Sequence, residues 1–335
     1  PILDVETDKI ANAVEAADPG LLRRKIANEG ELLPVKALLG VMGGDDVSDA
    51  DIDAYVASYV MPAAGDGDDE DAGPKTQWAD VDGLRVRYAK RGAESGTPVL
   101  FIHGFGGDLD NWLFNIDAVG EHSPVVALDL PGHGQSTVKL PGASITALAE
   151  FVDHFMAAID LPKAHVVGHS MGGAVASQLA LAHPDRVASL TLIASAGLGA
   201  EINVGYTGGF AAAGSRRDLK PLLEQLFNDG SLVSRQMIDD VLKYKRLDGV
   251  DALLTELNAG LFDGGSQSEQ PGLKLGSTGK PVLVVWGRED RIVPASHAGN
   301  APAGATVEIF DGAGHMVQLE RANDVNALIK RHVGV

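Results

Sequence analysis

A pentapeptide in the middle of the chain has the G-x-S-x-G pattern of a serine nucleophile: Gly168-His169-Ser170-Met171-Gly172. The apolar run AHVV precedes it, and the helical run GAVASQLALA follows it. In this context the serine lies on a strained strand-to-helix turn, at a helix N-terminus that favours developing negative charge. A Gly-rich turn that only packs a helix would share the five letters, but the flanking strand and helix favour a nucleophile.

A serine hydroxyl needs a general base, and the base needs an acid that orients it. Glu289 and Asp290 both follow the apolar run VLVVWG, and either could be the acid. His315 lies in the Gly-rich loop of TVEIFDGAGH and is the candidate base. A single histidine is more often structural, but the chain order serine, acid, histidine is the one expected when the nucleophile occupies such a turn.

Two N–H donors are needed to stabilise an oxyanion on the reacting carbonyl. The N–H of Met171, next to the nucleophile, is predicted to be one of them, and Phe105 in the loop of HGFGGDLDNW is predicted to supply the other. We expect His103 to brace this loop and predict no metal site, because no partner ligands stand at metal spacing.

The elements that position these residues follow from an alternating pattern. Short, nearly continuous apolar runs alternate with helical segments from Trp78 onward. Such runs are typical of parallel strands covered on both faces, so the sequence predicts an α/β domain with a mostly parallel sheet and helices on both faces. The strand rhythm lapses over about 198–275, where LKPLLEQLFND and SRQMIDDVLKY predict a helical cap.

Residues 78–335 resemble the α/β-hydrolase family through HGF, LDLPGHGQS, GHSMGG, GREDRIVP and GAGH, which occur in this order. The resemblance implies that Ser170 is the nucleophile, Asp290 the acid and His315 the base. The family pattern G-x-x-D-x-x-x-P falls on GREDRIVP and favours Asp290 over Glu289.

The N-terminal segment has a different pattern. Residues 1–43 alternate like short strands, ILDVE, IANAV, LLRRKIA and LLPVKALLGVM, with DPG and NEGE as turns. The segment resembles the second half of a lipoyl domain, in which the lipoyl-lysine stands in a D-K-A/I setting, and this implies Lys9 as the lipoyl attachment residue. Asp8 and Ile10 contradict the M-K-M of biotinyl domains. An exposed turn lysine is the alternative.

The strands that precede this hairpin in a lipoyl domain do not occur in the sequence, and half a barrel would have open edges. We therefore expect residues 1–43 to be a partial lipoyl-type domain of a truncated chain. Residues 44–73 predict a short helix, capped by Ser48 or Asp49, and an acidic flexible linker. We expect the remaining residues, 74–335, to form the α/β-hydrolase-like domain.

Charge and composition limit the partners. The 335-residue chain has a formal net charge of −19, and residues 1–73 contain 17 acidic but only 5 basic residues. Nucleic acids and anionic membrane surfaces would repel such a chain. No apolar run reaches the roughly 18 residues of a membrane span. The chain has no cysteine, which excludes disulfides and thiolate nucleophiles and fits a cytoplasmic location.

A lipoyl-type segment tethered to an α/β-hydrolase-like domain resembles the acetyltransferase (E2) components of bacterial acetoin dehydrogenase complexes. The resemblance implies lipoate on Lys9 as cofactor, Ser170 as acetyl acceptor and coenzyme A as co-substrate. It also implies the E1 and E3 components of a 2-oxo-acid or acetoin dehydrogenase-type complex as partners, and a homo-oligomer. A tether would hold the acyl arm at high effective concentration.

Two other functions stay open, because a fold does not specify a reaction. A serine hydrolase (esterase, thioesterase or C–C hydrolase) would pass the acyl group of a small-molecule substrate to water. A catalytically silent scaffold is opposed by the intact set of Ser170, Asp290 and His315.

The H-x-x-x-D-G motif of ordinary E2 acyltransferases is missing. Coenzyme A phosphates call for cations, and the candidates in the cap are Arg216, Arg217, Lys220, Lys243, Lys245 and Arg246.

Overall fold

The computed structural model describes residues 3–6, 11–14, 21–28, 38–44, 47–59 and 76–335. The chain divides into two compact units, Pro1–Gly73 and Pro74–Val335. Lys9 and the predicted linker residues 60–73 lie outside the described residues.

The first unit contains two antiparallel strand pairs and one helix. Strands β1 (Leu3–Glu6) and β2 (Ala11–Val14) pair with each other, as do β3 (Leu21–Lys25) and β4 (Gly40–Gly43). Each strand overlaps one of the strand segments expected from the sequence. Helix α1 (Asp49–Ser58) begins after Ser48, whose hydroxyl accepts a hydrogen bond from the Asp51 N–H.

The second unit is built on an eight-stranded sheet with the order β12-β11-β10-β9-β7-β8-β6-β5. Strands β7 to β12 pair in parallel with one another, whereas β5 and β6 form an antiparallel hairpin at one edge. The strands are β5 (Thr76–Val81), β6 (Leu84–Gly92), β7 (Val99–Ile102), β8 (Pro124–Leu128), β9 (Ala164–His169), β10 (Val187–Ile193), β11 (Val282–Gly287) and β12 (Thr306–Phe310).

Helices cover both faces of this sheet because its central strands are apolar on both. In β7, Val99 and Phe101 belong to one buried cluster, while Leu100 and Ile102 belong to the other, as the two-residue repeat of a strand requires. The predicted α/β architecture, a mostly parallel sheet with helices on both faces, is thereby confirmed. The helices on the two faces are α2 (Leu113–Gly120), α3 (Ile145–Ala158), α4 (Met171–Ala182), α9 (Val317–Glu320) and α10 (Ala322–Val333).

Four helices lie between β10 and β11, in the segment where the sequence predicts a cap. They are α5 (Val204–Ala212), α6 (Arg216–Leu223), α7 (Arg235–Lys245) and α8 (Val250–Leu261). The side chains of Asn203, Ser215 and Ser234 cap the first three by accepting hydrogen bonds from backbone N–H groups. The amphipathic pattern predicted α6 and α7, whereas α5 and α8 were not predicted. Among the described residues, no helix is long and apolar enough to cross a membrane.

Candidate active site

Ser170 lies between the end of β9 and the start of α4, in a strained conformation with φ 53° and ψ −120°. Its N–H donates to the carbonyl of Ile193 on the neighbouring strand at 3.0 Å. The two glycines of the motif are needed for close packing. A Cβ on Gly168 would lie 2.3 Å from the Gly172 carbonyl oxygen, and one on Gly172 would lie 2.2 Å from that of Ile102. The turn therefore presents the serine only with glycine at both positions.

His315 and Asp290 form a buried pair. The Nδ1–H of His315 donates to Asp290 Oδ2 at 2.8 Å, and the two side chains are 3% and 0% exposed. Oδ1 of Asp290 accepts from the N–H groups of Ile292 and Val293, and Oδ2 also accepts from the indole N–H of Trp286. Since Asp290 binds the Nδ1–H, the Nε2 atom of His315 remains available as a proton acceptor.

Glu289, the other candidate acid, has a different position. Its Oε2 accepts hydrogen bonds from the N–H groups of Gly312 and Ala313 at 2.9 and 3.2 Å. It therefore fixes the loop that precedes His315 and does not orient the imidazole. The geometry favours Asp290 over Glu289 as the partner of His315.

A second carboxylate, that of Glu320, joins the histidine loop to the cap. Its Oε2 accepts from the Gly314 N–H at 2.6 Å and its Oε1 from the Asn228 N–H at 2.8 Å. The N–H of Met316 donates to the Leu226 carbonyl at 3.0 Å, again across the loop and the cap. Glu320 was not predicted from the sequence, and no motif could have indicated it, because Asn228 is distant along the chain.

Ser170 and His315 line one cavity of about 130 Å³ beneath the cap. Phe105 and Met171 line it as well, so the structure brings the predicted hydrolase-domain site residues together, with Asp290 behind His315. Most of the remaining lining is apolar. It includes Ile202, Phe210, Leu223, Phe227, Met237, Val241 and Phe262.

The N–H groups of Phe105 and Met171 are uncommitted: neither donates a hydrogen bond to another residue in the described part of the chain. Met171 is the first residue of α4, so its N–H is one of the free donors of a helix N-terminus. The loop that carries Phe105 passes close to the serine, since a Cβ on Gly104 would lie 3.0 Å from the Ser170 Cβ. These two amides are the candidate donors to an oxyanion.

His103 braces the same loop, as the sequence predicts. Its Nδ1–H donates to the Gly104 carbonyl at 2.8 Å, and its Nε2 accepts from the Leu130 N–H at 2.9 Å. Burial lowers its pKa to about 4, so the ring is neutral near pH 7. Within the described ranges, no group of three or more histidine, cysteine or carboxylate side chains could hold a metal ion.

His169, inside the G-x-S-x-G motif, was not predicted as a site residue. It lines the cavity, and its Nε2–H donates to the backbone carbonyl of His315 at 3.0 Å. Burial, followed by the proximity of His315, lowers its pKa well below the ordinary value. It is therefore a neutral donor that holds the histidine loop beside the nucleophile.

None of the six cap cations suggested for coenzyme A lines this cavity. Four of them form ion pairs: Arg216 with Asp239, Lys220 with Glu224, Lys243 with Asp240 and Lys245 with Asp251. The other two, Arg217 and Arg246, form no ion pair within the described residues.

Residues 97–322 match a family described by the alpha/beta hydrolase fold. The chain belongs to the α/β-hydrolase family. This α/β-hydrolase is 61% identical over 334 residues to the dihydrolipoyllysine-residue acetyltransferase component of the acetoin cleaving system of Cupriavidus necator, with 100% of this chain and 89% of that protein covered. It is 48% identical over 336 residues to the component of the same name from Pseudomonas putida, covering 99% and 90% of the two chains.

Two solved structures are similar to this chain in fold. The meta-cleavage product hydrolase CumD of Pseudomonas fluorescens IP01 superposes with a TM-score of 0.69 at 24% identity, over 76% of this chain and 96% of CumD. A bacterial membrane phospholipase A, described as a virulence factor, gives a TM-score of 0.69 at 28% identity, over 78% and 86% of the two chains. These likenesses support the fold assigned to the second unit.

Proposed function

We propose that this α/β-hydrolase transfers an acetyl group from a dihydrolipoyl thioester to coenzyme A. The observation that carries the proposal is the similarity to two acetyltransferase components of acetoin cleaving systems, because it extends over nearly the whole chain, the N-terminal unit included. The site geometry supports it, since Ser170 and His315 line the same cavity and Asp290 is hydrogen bonded to His315, as acyl transfer by a serine would require.

In the first half-reaction, Ser170 Oγ attacks the thioester carbonyl while His315 Nε2 accepts the hydroxyl proton. The N–H groups of Phe105 and Met171 donate to the oxyanion. The carbon–sulfur bond then breaks, His315 returns the proton to the departing thiolate, and acetyl-Ser170 is left. Asp290 stabilises the imidazolium through its hydrogen bond to Nδ1.

In the second half-reaction the steps run in reverse with coenzyme A as acceptor. His315 Nε2 takes the proton of the incoming thiol, and the new sulfur–carbon bond forms at the acetyl carbon. The ester bond to Ser170 breaks, and His315 returns the proton to Oγ. Each half-reaction exchanges one acyl bond and one proton, so no oxidant or reductant is required.

The cavity favours a small acyl group. Its volume of about 130 Å³ lies below the usual range of small-molecule pockets, and its cap side is mostly apolar. An acetyl group needs only an apolar wall for its methyl group and two donors for its carbonyl oxygen. Phe105, Met171 and the apolar side chains that line this cavity support this assignment.

Lys9 is the residue proposed to hold lipoate, through an amide bond to its side chain. Glu6 at the end of β1 pairs with Ala11 at the start of β2, so Lys9 falls in the four residues that join two antiparallel strands. This position fits a lysine that must reach another site. The bound group would supply the thiol that carries the acetyl group.

We extend the proposal to the domain organisation of the chain, its partner proteins and its location in the cell. Residues 1–43 would be a partial lipoyl-type domain, 44–73 a helix and linker, and 74–335 the catalytic domain with its cap at about 198–275. The E1 and E3 components of an acetoin dehydrogenase-type complex are the proposed partners, in the cytoplasm and with a homo-oligomeric E2.

The second candidate function is hydrolysis, with water as the acyl acceptor. It is favoured by the structural similarity to hydrolases and by the 29% identity to a 2-hydroxy-6-oxononadienedioate/2-hydroxy-6-oxononatrienedioate hydrolase of Paraburkholderia phymatum, over 270 residues. The two functions share the acyl-enzyme and differ only in what attacks it.

Partition of the acyl-enzyme distinguishes them. Purified protein is given S-acetyl-dihydrolipoamide with and without coenzyme A, and acetyl-CoA and acetate are quantified. We expect acetyl-CoA to dominate, and Ser170→Ala to form neither product above background. Acetate as the main product at saturating coenzyme A would contradict transferase function and support hydrolysis.

Attachment at Lys9 has a separate test. The chain is expressed with a lipoylation system, and its intact mass is measured beside those of Lys9→Arg and Lys25→Arg. We expect one lipoyl adduct on the wild type and on Lys25→Arg, and none on Lys9→Arg. An unmodified wild type would contradict Lys9 as the attachment residue without affecting the test of acetyl transfer.

A further inference from the structure

Thr207 on helix α5 has a buried hydroxyl that the fold itself does not use. The residue is 2% exposed, and its Oγ1 has no hydrogen-bond partner among the described residues. A helical threonine commonly satisfies its hydroxyl on the carbonyl four residues earlier. Here the Asn203 carbonyl accepts the backbone N–H of Thr207 at 3.2 Å, as in any helix, but the hydroxyl makes no additional hydrogen bond to it.

This unpaired hydroxyl lies at the cavity that contains the nucleophile. Thr207 lines the cavity together with Ser170 and His315, among mostly apolar cap residues. A buried hydroxyl without a partner destabilises a folded protein, because it has lost its hydrogen bonds to water. A polar group at an apolar, concave site commonly fixes the orientation of a ligand.

Only some groups of an acetyl thioester could form a hydrogen bond with the hydroxyl of Thr207. The methyl group cannot form a hydrogen bond. The carbonyl oxygen is assigned to the N–H groups of Phe105 and Met171 by the proposed function, on which this inference rests. The thiol portion of the donor remains. In a dihydrolipoyl donor it carries a second, free thiol three carbons from the reacting sulfur, and an S–H can donate to a hydroxyl.

We propose that Thr207 is a specificity-determining residue whose hydroxyl hydrogen bonds to the free second thiol of a 1,3-dithiol acyl donor. It positions the donor by contact with its thiol portion and takes no part in the proton transfers between Ser170 and His315. A monothiol thioester leaves the hydroxyl unpaired. The enzyme therefore prefers the acetyl thioester of a 1,3-dithiol to that of a matched monothiol.

The test compares two donors, S-acetyl-dihydrolipoamide and the S-acetyl thioester of the same amide with its second thiol replaced by hydrogen. Formation of acetyl-Ser170 is followed by rapid quench and mass spectrometry for wild type, Thr207→Val and Thr207→Ser. We expect the second-order rate constant for acylation of the wild type to be about 3- to 10-fold higher with the dithiol donor, the range expected for one hydrogen bond. Thr207→Val should abolish that preference by slowing the dithiol donor alone, and Thr207→Ser should retain it.

Thermal unfolding distinguishes a role of Thr207 in donor binding from a role in holding the fold together. Thr207→Val removes an unpaired hydroxyl from an apolar wall, so its melting temperature should equal or exceed that of wild type. A lowered melting temperature together with equal slowing of both donors would overturn the inference, as would a wild type with no preference.

The experiment distinguishes a failure of the Thr207 inference from a failure of the proposed acetyl transfer to coenzyme A. Acylation of Ser170 is measured before any acceptor is added, whereas acetyl-CoA formation is measured afterwards. A wild type that prefers the dithiol donor but releases only acetate contradicts the transferase and supports the role of Thr207. A wild type that neither thioester acylates contradicts both.

Discussion

The Nδ1–H of His315 and Oδ2 of Asp290 are joined by a 2.8 Å hydrogen bond in a position closed to solvent. The carboxylate accepts three further hydrogen bonds, two from backbone N–H groups and one from the indole of Trp286. Because these donors fix both carboxylate oxygens, Asp290 holds the imidazole in one tautomer and one orientation.

Replacement of Asp290 by asparagine should therefore reverse that tautomer. The amide would keep the backbone hydrogen bonds through its oxygen and turn its NH₂ toward His315, which would leave the proton on Nε2. We expect the rate of Ser170 acetylation to fall about 10³- to 10⁴-fold, measured by single-turnover quench. Glu289→Gln is the matched control and should lose less than about 10-fold, because Glu289 contacts only loop amides.

Glu320 should matter for both stability and rate. Its alanine variant leaves the N–H groups of Gly314 and Asn228 without their acceptor, and it removes a link between the histidine loop and the cap. We expect a loss of about 1–3 kcal/mol in the free energy of unfolding and a lower kcat, measured by urea denaturation and acetyl transfer.

The exposed Glu308 on strand β12 provides the control for Glu320, and Glu308→Ala should change stability by less than about 0.5 kcal/mol. Glu320→Gln should behave as an intermediate, because the amide oxygen can replace one of the two acceptors. Full activity in Glu320→Ala would show that the link to the cap does not position His315.

The sequence alone was sufficient to predict the candidate catalytic residues that directly follow strands of the sheet. Ser170 follows β9, Asp290 follows β11 and His315 follows β12, and these strands are parallel. Their carboxyl ends meet at one edge of the sheet, so a one-dimensional order of motifs predicts a three-dimensional cluster. The buried glycine contacts of the motif follow from the same turn.

Contacts between distant segments could not be predicted in this way. Glu320 finds Asn228 only because the cap folds over the histidine loop. The unpaired hydroxyl of Thr207 likewise depends on where the cap lies. Helix α5 has the sequence VGYTGGFAA, whose glycines oppose helix formation, and burial of Tyr206 and Phe210 overrides this local preference.

Buried neutral histidines should make the protein labile to acid. Burial lowers the pKa of His103 to about 4 and that of His133 to about 3, from an ordinary value of 6.5. Below pH 6.5 and down to those lowered values, the unfolded chain binds protons that the folded chain does not. Their contribution to stability is therefore fully present above pH 6.5 and is lost as the pH falls. Asp108 opposes this trend, since burial and the charges of Asp129 and Asp110 raise its pKa to about 7 and the folded state holds its proton more tightly.

Burial also lowers the pKa values of His165, His169 and His332, whereas burial raises that of Asp110 and the hydrogen bond to Asp82 raises that of His154. Five histidines with lowered pKa values outweigh the three groups that oppose the trend, Asp108, Asp110 and His154. We therefore expect the free energy of unfolding to fall between pH 6.5 and 4.5 in urea titrations. Asp108→Asn removes one of these opposing contributions and keeps an oxygen for the N–H of Asp110. It should make the decline steeper, and a shallower decline would contradict the assignment.

The close packing behind the nucleophile can be tested with two glycine substitutions. A Cβ on Gly172 would lie 2.2 Å from the Ile102 carbonyl oxygen and 2.5 Å from that of His103, and both are backbone atoms that cannot move aside. Gly172→Ala should therefore lower the free energy of unfolding by about 3 kcal/mol or more. A Cβ on Gly208, in helix α5, would have nothing within 4 Å, so Gly208→Ala should raise stability by about 0.5–1 kcal/mol. Urea denaturation of both variants measures the difference, and equal stabilities would contradict the packing around the nucleophile.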